Sequence, residues 1–209
     1  MQTIVVQTKL EAMMEQVKIG GIILAAGVGQ RLGMGPKAFV HLAGQTLLER
    51  ALETLQYNLI SEIVAVLPPN IIFPDGLRCT INPEPKSGPL GSVLAGISQL
   101  PENVTHAIVF PVDHALVHQS SVAAICDTAR SGQIPEMASC VSPTWQGQPG
   151  HPILLTPLAM GVLRQNTFLQ EDILRNILHN IGPPHPLPVK SDGILHNINS
   201  PEDYEFALN

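Results

Sequence analysis

From Gly20 onward, short apolar runs alternate with longer stretches in which apolar residues recur at helical spacing. The runs "GGIILAA", "EIVAVLP", "LRCTINP" and "THAIVFPV" have the length and composition of buried strands. Between them, "QTLLERALETLQ" and "GSVLAGISQL" repeat apolar residues on one helical face. This alternation predicts an α/β layer structure with a mostly parallel central sheet.

The second half of the chain continues the pattern. "SSVAAICDTAR" predicts a helix with Ser120 or Ser121 as its N-cap, and "EMASCVSP" and "HPILLTP" predict strands on either side of a loop, "TWQGQPG". Helices are expected over residues 157–164 and 168–179, followed by an extended edge segment, "PPHPLPVK". "SPEDYEFAL" predicts a closing helix that is capped by Ser200.

The chain has 209 residues, of which 44% are hydrophobic and 13% charged, and this suits one domain with a sizeable core. We expect residues 1–19 to be an N-terminal extension without an assigned role and residues 20–209 to form a single domain. The net charge of −6 and the aromatic content of 4% argue against nucleic-acid binding, which relies on basic and aromatic surfaces.

No apolar stretch approaches the ~20 residues that span a bilayer, and no secretory signal pattern is present, so no membrane association is expected. Cys79, Cys126 and Cys140 form no Cys-x-x-Cys pair, which favours free thiols over disulfides or a zinc site. Free thiols are typical of a reducing compartment, and we therefore expect a cytoplasmic protein.

The segment "LAAGVGQRLGMGPK" leaves the first strand and combines four glycines with Arg31 and Lys37. In open α/β sheets, ligands bind beyond the carboxyl ends of the strands. Glycines allow tight turns that expose backbone N–H groups to an anion, and the two cations add full positive charges. The combination predicts a loop that binds a triphosphate.

Two common phosphate-binding patterns do not fit this loop. A Walker loop requires G-x-x-x-x-G-K-(S/T), whereas Lys37 follows Pro36 and precedes Ala38. A dinucleotide fingerprint requires a third glycine where this chain has Leu32, and Pro36 interrupts the helix that should follow.

The loop resembles the signature of nucleotidyltransferases with the glycosyltransferase-A-type fold: L-A-(A/G)-G-x-x-x-R-x-G, two to four residues, then K. Within that superfamily the chain resembles the molybdenum-cofactor nucleotidyltransferases. The further landmarks, in the expected order, are "NPEPKSGPLGSVLAGI", "VFPVDHALV", "GHPILL" and "NINSPEDYEFA". The resemblance implies a three-layer, Rossmann-like nucleotidyltransferase fold with a mostly parallel mixed central sheet.

It also implies a Mg²⁺-dependent reaction. The enzyme would move NMP from an NTP to a phosphorylated acceptor, most directly molybdopterin, and release pyrophosphate. Ala26 gives L-A-A-G, as in cytidylyl members, and favours CTP; "GPL" and "NIN" lean towards the guanylyl branch and keep GTP open.

The resemblance assigns catalytic roles to Arg31, Lys37 and Asp113. The residues that it assigns to nucleotide binding are Leu24, Ala25, Ala26, Gly27, Gly29, Arg31, Lys37, Asn82, Gly88 and Ser92. For the loop and helix that carry Asn82, Gly88 and Ser92, the alternative is an ordinary loop and helix start.

Asp113 ends an apolar strand, where a carboxylate is costly unless it faces a cation or solvent. Because Mg²⁺ commonly uses one or two carboxylates together with substrate phosphates, Asp113 is the expected metal ligand, and a helix cap near residue 118 is the alternative. We expect His114 at the surface or behind the ligands. By resemblance Asn199 is a second metal ligand; local hydrogen bonding is its alternative.

The segment "GQPGHPILL" places His151 on the acceptor side of the site by resemblance, with structural packing against the turn as the alternative.

Competing functions also remain. A methylerythritol-phosphate cytidylyltransferase has a similar opening loop but carries an arginine that "PVDHALVHQ" lacks. Nucleotidyltransferases that act on sugar or polyol phosphates share the signature, and a non-catalytic nucleotide-binding module is the candidate from another class.

Overall fold

The first apolar run forms strand β1, Ile19–Leu24, at the centre of an eight-stranded sheet in a computed structural model of the chain. The structure describes residues 17–85, 88–168 and 172–208. Most of the expected N-terminal extension, residues 1–16, therefore lies outside the described residues. The division into an extension and one domain stays a proposal.

The sheet has the strand order β10-β7-β9-β6-β1-β4-β5, and β8 pairs with β7. Strand β9 is antiparallel to both of its neighbours, β8 is antiparallel to β7, and the remaining pairs are parallel. The prediction of a mostly parallel mixed sheet is confirmed. The strands after β1 are β2 (His41–Leu42), β3 (Gln45–Thr46), β4 (Ile60–Leu67), β5 (Arg78–Ile81), β6 (His106–Pro111), β7 (Cys140–Trp145), β8 (Gln148–Pro149), β9 (Ile153–Leu155) and β10 (Pro184–Pro188).

Helices cover both faces of the sheet and give three layers. One core contains the apolar faces of α1 and α3, and the core on the opposite face contains those of α2, α4 and α5. The last helix, α6, packs at the edge of the first core. The helices are α1 (Leu47–Leu55), α2 (Pro89–Gln99), α3 (Gln119–Ser131), α4 (Pro157–Arg164), α5 (Leu174–Ile181) and α6 (Pro201–Leu208).

The central strand β1 shows why both layers pack closely. Ile23 belongs to one core and Ile22 to the other, as the alternation of side chains along a strand requires. Gly96 in α2 lies directly over β1, where a Cβ atom would stand 2.4 Å from Cγ2 of Ile22. A glycine at this point lets α2 approach the sheet, and α2 begins beside the cavity described below.

Some predicted boundaries were wrong. Helix α3 is capped by His118, whose Nδ1 accepts from the N–H of Ser120, so neither Ser120 nor Ser121 is the cap. Helix α5 begins at Leu174 rather than near residue 168, because Ile173 still has extended backbone angles. Residues 169–171 lie outside the described residues.

The loop predicted at "TWQGQPG" is a β-hairpin. Strand β7 extends through Trp145 and pairs with β8 across Gln146 and Gly147, which have φ angles of 50° and 81°. Two consecutive positive φ angles define the type I′ turn that suits a two-residue hairpin. The hairpin leads into the segment of His151.

Within residues 17–85, 88–168 and 172–208, no helix is both long enough and apolar enough to cross a bilayer.

The substitution Gly96→Ala tests the close packing of α2 on β1. Because the added methyl group would collide with the fully buried Ile22, we expect the free energy of unfolding to fall by about 1–3 kcal/mol. Gly161 in α4 has no atom within 4 Å of a built Cβ, so Gly161→Ala should raise that free energy by about 0.5–1 kcal/mol. Urea unfolding measures both variants, and equal effects of the two would contradict the packing.

Candidate active site

A cavity of about 970 Å³ opens at the carboxyl ends of β1 and β6. This is where ligands bind in parallel α/β sheets, and the volume is at the upper end for small-molecule sites. The sequence-predicted residues that line it are Leu24, Ala26, Gly27, Lys37, Gly88, Ser92, Asp113 and His151. Of the others, Ala25 is fully buried, Asn82 is buried behind Ser92, and Gly29, Arg31 and Asn199 are not part of the wall.

The glycine-rich loop folds back on itself after β1. The N–H of Lys37 donates to the carbonyl of Gly27 at 3.1 Å, which closes the loop at its base. Gly29 has a φ angle of 64°, and a Cβ atom there would lie 2.1 Å from the carbonyl oxygen of Gly35. The conformation therefore requires glycine at position 29. Gly27, in contrast, has no positive φ angle.

The loop presents unused donors. The N–H groups of residues 26–31 donate to no backbone group among the described residues, whereas those of Leu32 and Gly33 donate to the carbonyl of Gly29. A run of free N–H groups on a glycine-rich loop is suited to binding an anion. Arg31 is exposed on this loop and has no ion-pair partner in the part of the chain that the structure describes.

The ammonium group of Lys37 joins three distant segments. Its Nζ lies 2.7 Å from Oδ2 of Asp113, and it also donates to Oδ1 of Asn199. Both side chains of the ion pair are mostly buried, with 14% and 19% of their surface exposed. The structure thus brings together Lys37, Asp113 and Asn199. Asp113 does not cap the helix near residue 118, because His118 does.

The C-terminal segment is held against the loop after β6. The N–H of Ile198 donates to the carbonyl of Asp113 at 2.9 Å. Asp203 accepts from the N–H groups of Asn199 and Ser200, and these bonds lower the pKa of its carboxyl group, the bond from Asn199 most. Ser200 accepts from the N–H of Asp203, so the predicted cap of α6 is confirmed. The orientation of Asn199 therefore depends on the start of α6.

Asn82 and Ser92 form a buried pair. Nδ2 of Asn82 donates to Oγ of Ser92 at 2.9 Å, and Oδ1 of Asn82 accepts from the N–H of Glu84. Because the Ser92 oxygen accepts from Asn82, its hydroxyl hydrogen is free to act as a donor. Ser92 lines the cavity, so this donor is available to a ligand, and Asn82 orients it.

His114 and His151 form a second buried pair. Their ring centroids are 4.8 Å apart, and Nδ1 of each ring is buried without a partner among the described residues. His114 is 7% exposed, so it does not lie at the surface. Both line the cavity, and both approach Ile194, whose carbonyl accepts from the N–H of His151 and faces the ring of His114.

Burial lowers the pKa of both imidazoles in this pair. Burial, together with the nearby charges of His114 and Arg175, lowers the pKa of His151 to about 4 although Asp113 opposes the shift. Burial also lowers the pKa of His114. His151 is consequently neutral at pH 7, and its unpartnered Nδ1 is free to form a hydrogen bond with a ligand.

Sequence reasoning missed the wall formed by α5 and β7. Arg175, Asn176 and His179 on α5, together with Ser142 on β7, line the cavity. Only the helical spacing of Arg175 and His179, four residues apart, indicated a shared face, and it did not show which way that face points.

A family model described as "MobA-like NTP transferase domain" matches residues 21–185. The match covers most of the chain, and the chain therefore belongs to this family of nucleotidyltransferases. The resemblance to the molybdenum-cofactor nucleotidyltransferases is confirmed by a "Probable molybdenum cofactor guanylyltransferase" of Chloroflexus aggregans, 29% identical over 205 residues, which are 90% of this chain and 93% of that protein.

Other relatives carry other names. A "Nicotine blue oxidoreductase" of Paenarthrobacter nicotinovorans is 33% identical over 145 residues, 66% of this chain and 70% of that protein. A "2-C-methyl-D-erythritol 4-phosphate cytidylyltransferase" of Deinococcus radiodurans is 38% identical over 79 residues, which are 37% of this chain and 34% of that protein. The chain is thus similar to proteins whose names give different activities.

Among solved structures, Rv0371c from Mycobacterium tuberculosis H37Rv superposes with a TM-score of 0.75 at 19% identity. The match covers 92% of this chain and 97% of that one. The same protein has also been solved in complex with manganese, with a TM-score of 0.71 and 18% identity. At these identities the likeness establishes the fold alone.

The substitution Ser92→Ala tests the buried pair with Asn82. It leaves the buried Asn82 amide without its acceptor, so we expect the free energy of unfolding to fall by about 1–3 kcal/mol. Ser98 lies on the exposed side of the same helix, and Ser98→Ala should change that free energy by no more than about 0.5 kcal/mol. A Ser92→Ala variant as stable as wild type in urea unfolding would rule out the pair.

Proposed function

We propose that this protein is a Mg²⁺-dependent nucleotidyltransferase that transfers NMP from an NTP, with CTP favoured and GTP possible, to the phosphate of molybdopterin. The observation that carries the proposal is the contact of Lys37 with Asp113 and Asn199 at the edge of a cavity lined by a glycine-rich loop. This contact supports the proposal because a cation, a carboxylate and an amide oxygen lie together beside the loop that we propose to bind the triphosphate.

The loop would bind the triphosphate. The N–H groups of residues 26–31, which donate to no described backbone group, would donate to phosphate oxygens, and Lys37 would neutralise charge at the reacting phosphorus. Arg31, which is exposed and has no ion-pair partner within the described residues, would bind the outer phosphates in bidentate geometry. Leu24, Ala25 and Ala26 lie at the base of the loop, on the side expected for the ribose and base.

The oxygen ligands fit magnesium. Asp113 lines the cavity, and its Oδ2 accepts a hydrogen bond from Nζ of Lys37. The side-chain carbonyl of Asn199 accepts from the same Nζ. Within residues 17–85, 88–168 and 172–208, no group of three or more His, Cys, Asp or Glu side chains is arranged to hold a metal ion, so the remaining ligands would be triphosphate oxygens and water. This is the usual arrangement for Mg²⁺. When bound, the ion would neutralise charge that develops on the triphosphate.

The transfer itself needs no covalent enzyme intermediate. An oxygen of the acceptor phosphate attacks the α-phosphorus, the bond from that phosphorus to the bridging oxygen breaks, and pyrophosphate leaves. Lys37 and Arg31 stabilise the charge that moves onto the leaving group, and the loop holds the triphosphate in line with the acceptor. Positioning and electrostatics therefore account for the rate enhancement.

We assign base selection to the start of α2, which lines the cavity beside the glycine-rich loop. Gly88 lines the cavity without a side chain, which allows a base edge to approach the backbone, and Ser92 offers the hydroxyl donor that Asn82 orients. Ala26 supports CTP by the L-A-A-G pattern. His151, neutral and with an unpartnered Nδ1, is assigned to the acceptor.

A second candidate is a cytidylyltransferase that acts on a methylerythritol, sugar or polyol phosphate. It is favoured by the 38% identity of part of the chain to such an enzyme. The oxidoreductase activity named for another relative is not proposed, because Leu32 replaces the third glycine of a dinucleotide fingerprint.

The free thiols of Cys79, Cys126 and Cys140 support the cytoplasm as the compartment.

Release of pyrophosphate tests the reaction and its substrates. We expect turnover when the protein is incubated with Mg²⁺, CTP and molybdopterin, slower turnover with GTP, and no turnover without the metal. The same assay with methylerythritol phosphate and sugar phosphates serves as the control. Turnover with one of these and none with molybdopterin would replace the first candidate by the second, and no turnover with any acceptor would favour a nucleotide-binding module.

The role of Asp113 is tested by Asp113→Ala. Loss of the metal ligand and of the partner of Lys37 should lower kcat/KM by about 10³-fold or more, while circular dichroism stays unchanged. Asp75 is exposed between β4 and β5, and Asp75→Ala should retain wild-type turnover. Undiminished turnover of Asp113→Ala would remove this residue from the site.

A further inference from the structure

The strand order divides the cavity into two halves. The glycine-rich loop, Asn82 and the start of α2 belong to the side of β1, β4 and β5. Strands β9, β7 and β10 lie on the other side of β6, and α5 and the hairpin contribute residues to the wall there. Asp113, which follows β6, stands between the halves. If the nucleotide occupies the loop side, a second ligand must enter from the side of α5.

Arg175 supplies the positive charge of that second half. It lies in the first turn of α5 and lines the cavity, yet it makes no ion pair or hydrogen bond with the described residues. Among the described residues of the cavity wall, Asp113 is the one acidic side chain, and it is already paired with Lys37. Arg175 is close enough to His151 to help lower the pKa of that imidazole.

Other polar groups without a described partner line the cavity together with Arg175. The buried rings of His114 and His151, each with an unpartnered Nδ1, line the same half. The N-cap residue Ile173 has no side chain that could accept a hydrogen bond from α5. Among the described residues, the N–H groups of Leu174 and Arg175 donate to no backbone group, which adds the positive end of a helix dipole. A cation, two buried imidazoles with unpartnered Nδ1 atoms and helix N–H groups in one concave wall are suited to an oxyanion.

Apolar residues complete the wall. Ile153, Ile173 and Leu178 line this half, together with Pro149 and Pro184. A ligand that presents a phosphate to Arg175 can therefore place a flat or apolar body against these side chains.

We propose that Arg175 binds the phosphate of the acceptor and holds it for attack on the nucleotide. This inference rests on the proposed function and extends it to the acceptor half, to which sequence reasoning assigned His151 alone. The guanidinium group would donate to two of the phosphate oxygens and leave the third free to attack the α-phosphorus. The acceptor class is then a phosphate monoester with a flat or apolar body.

A binding experiment without nucleotide isolates this role. Phenyl phosphate, a monoester with a flat apolar ring, is titrated into wild type, Arg175→Ala, Arg175→Lys and Lys190→Ala, and binding is followed by phosphorus NMR. Loss of a charge-assisted bidentate contact should weaken binding to Arg175→Ala by about 10- to 100-fold. Arg175→Lys should recover part of the affinity. Lys190 is exposed after β10 and outside the cavity wall, so Lys190→Ala should bind like wild type.

Steady-state turnover supplies the second readout. We expect Arg175→Ala to raise KM for the acceptor and to leave the dissociation constant for the NTP within about twofold, because the two halves are separate. Equal affinity of wild type and Arg175→Ala for phenyl phosphate, or no binding to wild type, would overturn the role of Arg175. Failure of wild type to bind any NTP would instead contradict the proposed function. The titration with phenyl phosphate contains no nucleotide, so the two failures can be told apart.

Discussion

The contact of one ammonium group with two oxygens organises this site. Lys37 comes from the glycine-rich loop, Asp113 from the end of β6, and Asn199 from the segment before α6, so a single cation joins residues separated by 76 and 162 positions. An ion pair that is mostly buried is costly unless the charges remain paired and hydrogen-bonded. The loop, the strand end and the C-terminal segment must therefore adopt their positions together.

Close backbone approaches make that arrangement possible. A Cβ at Gly193 would lie 2.0 Å from the carbonyl of Leu116, and a Cβ at Gly150 would lie 2.4 Å from the carbonyl of Ile194. The C-terminal segment thus fits tightly between the loop after β6 and the turn before His151. Glycine at these points, as at Gly29, lets three loops converge without side chains between them.

Family membership concerns the class of reaction, whereas the geometry of the cavity bears on the acceptor. The family model establishes a nucleotidyltransferase, whereas the relatives that match the chain carry distinct names. In the proposed assignment, the nucleotide lies beside β1, β4 and β5, where the glycine-rich loop follows β1. The acceptor lies on the other side of β6, where residues of β7, β9, β10 and α5 line the cavity. Specificity for the acceptor is therefore expected to lie on α5 and the hairpin.

The sequence alone determined the α/β layers, the position of most strands and helices, and the glycine-rich loop with its two cations, because these follow from local periodicity and from glycine and charge within a short segment. It also indicated Lys37, Asp113 and Asn199 as candidate site residues, each from its own segment. Tertiary structure alone decided that one ammonium group joins them, that His118 rather than a serine caps α3, and that Arg175 faces the cavity. Such contacts depend on strand order and on which helix face meets the sheet, and no pattern of neighbouring residues contains that information.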